Sequence, residues 1–267
     1  VNTGRWIAIC LLGLVLTASL LANFIAPASY AEQFRDLPGA SPSARHWLGT
    51  DDLGRDRFSR LLYGTRISLL LAPAAALVST LLAGVIGGLA GYLGGGFEGT
   101  AMWVTDLFLS LPWLFLLVAV RAMLPLNVSP LASVIITFAL LGILGWAAAA
   151  RVVCAGSRTL RNSDFVLQAR ASGVSGPRVF AVHIFPNLAP VLLAQFWISI
   201  PVFILTEANL GVLGLGVAEP LPSWGSLLRE IEGYSAASQP WLFVPLLLLV
   251  AVVTCFQVAL SSKELPS

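Results

Sequence analysis

Six stretches of about twenty or more mostly apolar residues run through the chain, at 6–26, 66–93, 101–124, 131–153, 188–210 and 239–261. Each is long enough for a helix to cross the roughly 30 Å hydrocarbon core of a bilayer. The third is the weakest, because it holds Asp106 and Pro112. The connections differ in kind. Residues 27–65 form a long polar loop rich in charge, 94–100 a short glycine-rich turn and 125–130 another short turn. Residues 154–187 form a longer polar segment, and 211–238 a Gly/Pro-rich loop with Glu219, Glu230 and Glu232. The pattern predicts an all-α polytopic membrane protein of about six transmembrane helices, one domain over 1–267 with an N-terminal helix at 6–26, a loop at 27–65 and core helices over 66–261. An even number of spans puts both ends on one side.

The first run, Trp6 to Ala26, exceeds the roughly 7–15-residue apolar core of a signal peptide and shows no small-x-small cleavage site before Pro27. It is expected to be retained as a helix, with Val1 as a non-ATG start.

Composition supports the class. The chain is 57% hydrophobic and 10% charged, whereas soluble domains carry about 25% charged residues. A net charge of +2 without a basic run gives nucleic acid no footprint. Cys10, Cys154 and Cys255 are far apart and form neither a disulfide framework nor a metal-ligand spacing. His46 and His183 stand isolated. Asp51, Asp52 and Asp56 lack the dense oxygen-ligand spacing of a calcium loop. With a cytoplasmic amino terminus, seven Arg and Lys residues lie inside and eight outside. Charge bias therefore leaves orientation open.

Several function classes lose support. No internal repeat favours an inverted-repeat secondary transporter, and the mid-span acids that ion coupling uses are scarce. No nucleophile, base and orienting group come together as an enzyme requires. The two histidines fall on opposite sides of the membrane in this topology. Lys263 is the only lysine, and no Gly-x-x-x-x-Gly-Lys-Ser/Thr loop exists to wrap a nucleotide's phosphates. ATP-driven transport would need its ATPase on another polypeptide.

The segment SDFVLQARASGVSGPRVFAVHIFPN, Ser163 to Asn187, stands out between apolar runs. Ser163 suits an N-cap, and Asp164 favours a first helical turn. Gly173 suits the left-handed position that ends a helix. Pro177 suits N1 of a second helix, and Pro186 is expected to stop it. Two helices of about nine residues are marginal alone, so they must pack. They pack either on this chain's own helix ends or on a second protein.

Ala169, Gly173 and His183-Ile184-Phe185-Pro186 resemble the cytoplasmic EAA loop of binding-protein-dependent ABC importer permeases. In that pattern Leu167 stands at the Glu, Gln168 and Ala169 at the two Ala, Gly173 at the Gly and Pro186 at the Pro. HWLGTDDLGRDRFSRLLYGTRISL, His46 to Leu69, is similar to the stretch after the first helix of the peptide/nickel branch. TEANLGVLGLGVAEPLPSWG, Thr206 to Gly225, is similar to that branch's last periplasmic loop. Over roughly residues 46–260 the chain resembles the DppC/OppC-type subunit of such importers. Two departures stand out: Leu167 replaces the motif's acid, and Cys154 sits where many members have arginine.

The resemblance implies a type I importer permease fold in the inner membrane with both termini cytoplasmic. It implies half of a translocation pathway for peptides or a related small solute. The implied partners are a homologous DppB/OppB-type permease, two cytoplasmic ATPase subunits carrying ATP and Mg, an extracytoplasmic binding protein and membrane lipid. No cofactor is expected on this chain. Residues 154–187 become the coupling loop, with Leu167, Gln168, Ala169, Arg170, Ala171, Gly173, Arg178, His183 and Pro186 facing or shaping the ATPase contact. Small Ala169, Ala171 and Gly173 permit close approach, while Arg170 and Arg178 either pair with acids on the ATPase or meet headgroups and solvent.

Further expectations attach to single residues. Gly84 with Gly88, and Gly87 with Gly91, permit close helix approach, within this subunit or to the partner permease. Asp51–Arg66 fits an interfacial amphipathic helix, with Leu53, Phe58, Leu61 and Leu62 apolar and Arg55, Asp56 and Arg60 wet. It serves either as a structural plug or as a docking surface for the binding protein. Asp106 is expected near the cytoplasmic end of its span, open to water. Glu207 is expected to brace the outer loop through backbone amides.

Overall fold

Inside hydrocarbon no water satisfies backbone N–H and C=O groups, so an apolar chain closes its hydrogen bonds within helices. The computed structural model describes residues 3–125, 127–232 and 239–261, and among these it is helical and strand-free. Lys263 and residues 233–238 of the last polar loop lie outside the described residues.

The helices are α1 (Thr3–Leu20), α2 (Ala22–Ile25), α3 (Arg57–Leu93), α4 (Gly95–Ser110), α5 (Trp113–Met123) and α6 (Pro130–Leu144). They continue as α7 (Trp146–Arg161), α8 (Asp164–Ala171), α9 (Gly176–Val179), α10 (Ala189–Val212), α11 (Trp224–Arg229) and α12 (Val244–Leu260). Five helical stretches among the described residues are long and apolar enough to cross a bilayer, and six if α4 and α5 count as one bent span.

Two spans differ from the sequence expectation. The second begins at Arg57 rather than residue 66, so no separate interfacial helix precedes it. Its 37 residues measure about 55 Å at 1.5 Å per residue, well beyond a bilayer core. The third is broken: α4 and α5 meet at 87° across Leu111–Pro112. Proline forces the residue before it out of the helical region, and Leu111 is extended at φ −88°, ψ 133°.

The chain divides into two compact units, Val1–Ala72 with Leu124–Thr137 and Ile204–Ser267, and Pro73–Met123 with Phe138–Phe203. In the first, α1 and α11 pack against α12. In the second, α4 packs against α7, and α7 against the segment after α9.

The glycine pairs of α3 are used within the chain. A Cβ on Gly87 would stand 2.2 Å from the Ala150 carbonyl oxygen, and one on Gly91 would stand 2.3 Å from that of Cys154. α3 and α7 thus touch backbone to backbone, and Ser157 donates to the Gly88 carbonyl at 2.7 Å. Gly84 and Gly88 leave room for Leu192, Phe185, Phe180 and Leu188.

Candidate functional site

The helix-turn-helix over 163–188 is anchored by an apolar cluster of Tyr92, Val153, Val166, Val179, Ile184 and Leu188, with Ala169, Val174 and Phe180 packed on it. Val166 is fully buried, whereas its neighbours Phe165 and Leu167 are 42% and 50% exposed. One face of α8 therefore holds the loop to its own helices, and the other presents apolar side chains outward. Gln168, Arg170, Ala171, Gly173 and Arg178 are also exposed, while Ala169 and His183 are half-buried.

The turn closes as a Schellman motif. The Val174 N–H reaches the Ala169 carbonyl at 3.1 Å, and the Gly173 N–H reaches that of Arg170 at 3.0 Å. Gly173 has φ +79°, and no heavy atom lies within 4 Å of where a Cβ would point. Backbone conformation, not crowding, requires glycine here.

Several expectations change in detail. Ser163 occupies the N-cap position, but its hydroxyl donates to the Leu160 carbonyl at 2.6 Å and caps nothing. The second helix starts at Gly176 after Ser175, so Pro177 is its second residue. Pro186 does not stop it. A π turn over Phe180–Ile184 and a 3-10 turn over Pro186–Leu188 carry the chain into α10. The wider turn lets the Phe185 N–H reach Phe180 at 2.8 Å, and the Asn187 side chain takes the His183 carbonyl at 2.7 Å. Pro186 thus falls at the first position of the 3-10 turn, where its missing N–H has no partner to lose.

Tyr92 joins the two short helices and was not singled out by the sequence pattern. Its hydroxyl donates to the Gly176 carbonyl at 2.9 Å, and the Arg170 guanidinium sits 5.1 Å from its ring centroid. The available signal was one phenol ending a glycine-rich apolar run, since a buried tyrosine hydroxyl needs a partner. On the neighbouring helices, Asp106 pairs with Arg151, and Glu98 with Arg158. The Asp106 carboxyl is half exposed.

The first unit holds a charged corner that the amphipathic expectation had inverted. Arg55, Asp56 and Arg60 are buried, while Leu53 is exposed. Asp51 accepts from the Leu53 and Arg55 backbone and from Arg55 Nε at 2.6 Å. Arg55 also pairs with Glu219, Arg60 donates to Glu219 at 2.9 Å, and Arg57 reaches Glu230 at 3.4 Å. Mutual pairing makes this burial tolerable. His46 is not isolated: its Nδ1 lies 2.8 Å from Asp56, which also accepts from the Ser59 N–H and hydroxyl. The Asp51 and Asp56 oxygens are thus engaged by protein donors.

Burial works against the Arg55 charge, but the Asp51 hydrogen bond and the Glu219 and Asp51 charges outweigh it and hold its pKa above the ordinary value. Burial pushes the Glu230 carboxyl above the usual carboxylate range. Arg60 opposes this shift, Asp51 adds to it and Arg57 opposes it.

Glu207, near the end of α10, is fully buried, and Ser68 donates to it at 3.2 Å. The 223–225 segment presses on the same turn: a Cβ on Gly225 would stand 2.6 Å from the Gly211 Cα and 3.0 Å from the Glu207 carbonyl oxygen. Trp224 is buried there with its indole N–H on Thr65 at 3.1 Å.

Residues 83–263 match the model of the binding-protein-dependent transport system inner membrane component. The nickel transport system permease protein NikC of Escherichia coli K12 is 36% identical over 259 residues, covering 95% of this chain and 91% of the relative. The oligopeptide transport system permease protein OppC of Mycobacterium tuberculosis H37Rv is 35% identical over 215 residues, 80% of this chain and 72% of the relative. The dipeptide transport system permease protein DppC of Bacillus subtilis 168 is 30% identical over 241 residues, 90% and 73% respectively.

Proposed function

The chain belongs to the family of binding-protein-dependent transport system inner membrane components, and on that premise we propose that residues 163–187 transmit the work of cytoplasmic ATPases to a pathway for peptides or a related small solute. It is a multi-pass membrane permease subunit of an ABC importer, not an enzyme, and ATP hydrolysis belongs to separate subunits. The partners in this reading are a homologous second permease, two ATPase subunits that bind ATP and Mg, and an extracytoplasmic binding protein. Both termini lie in the cytoplasm, 1–267 acts as one permease domain, and this chain itself binds no cofactor.

The observation that carries the reading is the two-sidedness of α8. Val166 ties it to the helix ends, and Phe165 and Leu167 stay exposed beside it. A helix pair that is apolar outward and fixed inward fits insertion into a cleft of a soluble partner. Leu167 in place of the motif's acid makes that contact apolar at this point. Ala171 and Gly173 let the partner's backbone come close. Arg170, held over Tyr92, and Arg178 offer positive charge at its rim, and Pro186 with His183 shapes the return into α10. Movement of the ATPase pair then displaces the loop as a body and switches the permease between two states. At the other functional end, Glu207 braces the loop after α10.

The test is purification of tagged protein from gently solubilised membranes, with and without Leu167→Arg. The unmodified chain is expected to bring down a second permease and ATPases that carry phosphate-binding loops. Leu167→Arg is expected to insert normally, lose most of the ATPase and abolish uptake. Full retention of ATPase and uptake in that variant removes the docking role. A chain that purifies alone and moves solute in liposomes without ATP overturns the importer reading.

A further inference from the structure

Within the second unit, a groove of about 390 Å³ opens at the break between α4 and α5. Leu111 and Pro112 form part of its wall, Trp113 and Phe203 stack above it with ring centroids 6.4 Å apart, and Gln195 and Ser199 of α10 face into it. We infer that this groove is wet and is the chain's own wall of the solute path, with Gln195 and Ser199 as its hydrogen-bonding contacts. The inference rests on the importer reading and adds to it which surface the solute meets.

Two independent observations say that water and solute, rather than lipid, occupy the groove. The first is the break. A helix end leaves carbonyls without intrahelical partners, and a helix start leaves N–H groups in the same condition. The break falls inside the apolar span that α4 and α5 make together, which places it at membrane depth. Ser110, Leu111 and Pro112 are exposed there. Irregular backbone at that depth persists only where protein buries it or where it lines a water-filled cavity. The second is Gln195. Its carboxamide is half-buried, lines the groove and has no hydrogen-bond partner among the described residues. An amide facing acyl chains without a partner is strongly disfavoured. One helical turn on, Ser199 donates to the Gln195 backbone carbonyl at 2.8 Å, which leaves the serine oxygen free to accept.

The lining also points to a class of solute. Apart from Gln195 and Ser199 the wall is apolar, and no His, Cys, Asp or Glu is part of it. Such a wall offers nothing to strip the hydration shell from a bare transition-metal ion, which wants imidazole, thiolate or carboxylate. It suits backbone amides or a metal already enclosed in a chelator, passing along one amide and one hydroxyl.

The experiment places single cysteines in the assembled, reconstituted complex at Gln195→Cys, Ser199→Cys and Leu193→Cys. Leu193 is exposed on the same helix but lies outside the groove. A cationic, membrane-impermeant methanethiosulfonate is applied, and labelling is read by peptide mass spectrometry, with native Cys10, Cys154 and Cys255 as internal references. A thiol in apolar surroundings stays protonated and unreactive, so the two groove cysteines are expected to label about tenfold or more faster than Leu193→Cys. Saturating dipeptide with ATP and the binding protein is expected to slow labelling of the two groove cysteines. Equal rates at all three positions overturn the inference and mean that lipid or a helix of the second permease fills the groove. If Ser199→Cys does not assemble, Gln195→Cys carries the same comparison. ATP-dependent uptake by the unmodified complex is measured in parallel. Uptake with unreactive groove cysteines leaves the importer reading standing and the inference fallen, whereas absence of uptake removes both.

Discussion

Residues 46–60 bury Arg55, Arg57 and Arg60 against the acids of 219–230, whereas residues 163–188 bury aliphatic side chains and leave Arg170 and Arg178 at the surface. Both regions are polar stretches between apolar spans. The difference lies in available counter-charge. Three arginines of the first region meet Asp51, Glu219 and Glu230, so charge can be taken out of water in balance. The second region holds one acid, Asp164, at the start of α8. Its arginines stay wet, and only Val166, Val179, Ile184 and their neighbours go in. A buried ionic network fixes geometry more than it adds stability. An apolar anchor with an exposed apolar top leaves a surface for something else.

Breaking the ionic side should have the largest effect. Arg60→Ala removes a fully buried cation and leaves Asp51, Glu219 and Glu230 undercompensated. The expected loss is about 3–5 kcal/mol, read as a lower thermal transition of the detergent-solubilised protein. A variant within the error of the unmodified chain would mean that water, not the arginine, balances those acids.

Breaking the apolar side at its polar fastener should cost less. Tyr92→Phe keeps the ring beneath Arg170 and removes only the bond to the Gly176 carbonyl. A loss of about 1 kcal/mol is expected, confined to faster amide exchange over 164–184. A change spread over the whole second unit would contradict so local a role.

The smallest effect sharpens the comparison through pH. Burial raises the folded pKa of Glu230 above its unfolded value. The unfolded chain therefore ionises first as pH rises from about 4.5, and the stability tied to the protonated side chain is present below that and lost as pH climbs through the folded value. Relative to the unmodified chain, Glu230→Gln should gain on the order of 1 kcal/mol or less between pH 4.5 and the folded pKa. A difference that is flat with pH would show that Arg57 and Arg60 cancel the effect of burial.

Legibility followed the range of the interaction. Gly173 was readable because a left-handed turn residue is a local requirement, met here by its own two hydrogen bonds. The number of spans was readable from run length, and the break at Pro112 had its local cause in view. The end of the second short helix was misjudged because Pro186 opens a 3-10 turn that follows a π turn formed against packed neighbours. The link from Tyr92 to Gly176 joins residues 84 apart, and that from Arg60 to Glu219 joins residues 159 apart. No windowed pattern sees either.

The amino-acid order alone was enough to establish a helical membrane protein, the place of its two-helix loop and the resemblance that leads to its family, because hydrophobic run length and turn chemistry act within one or two helical turns. Which face of each polar segment turns inward emerged only once the chain was folded. Burying an arginine depends on whether an acid arrives from a distant segment, and the groove that Gln195 faces depends on what the neighbouring helices enclose. Those are conditions on space rather than on sequence distance.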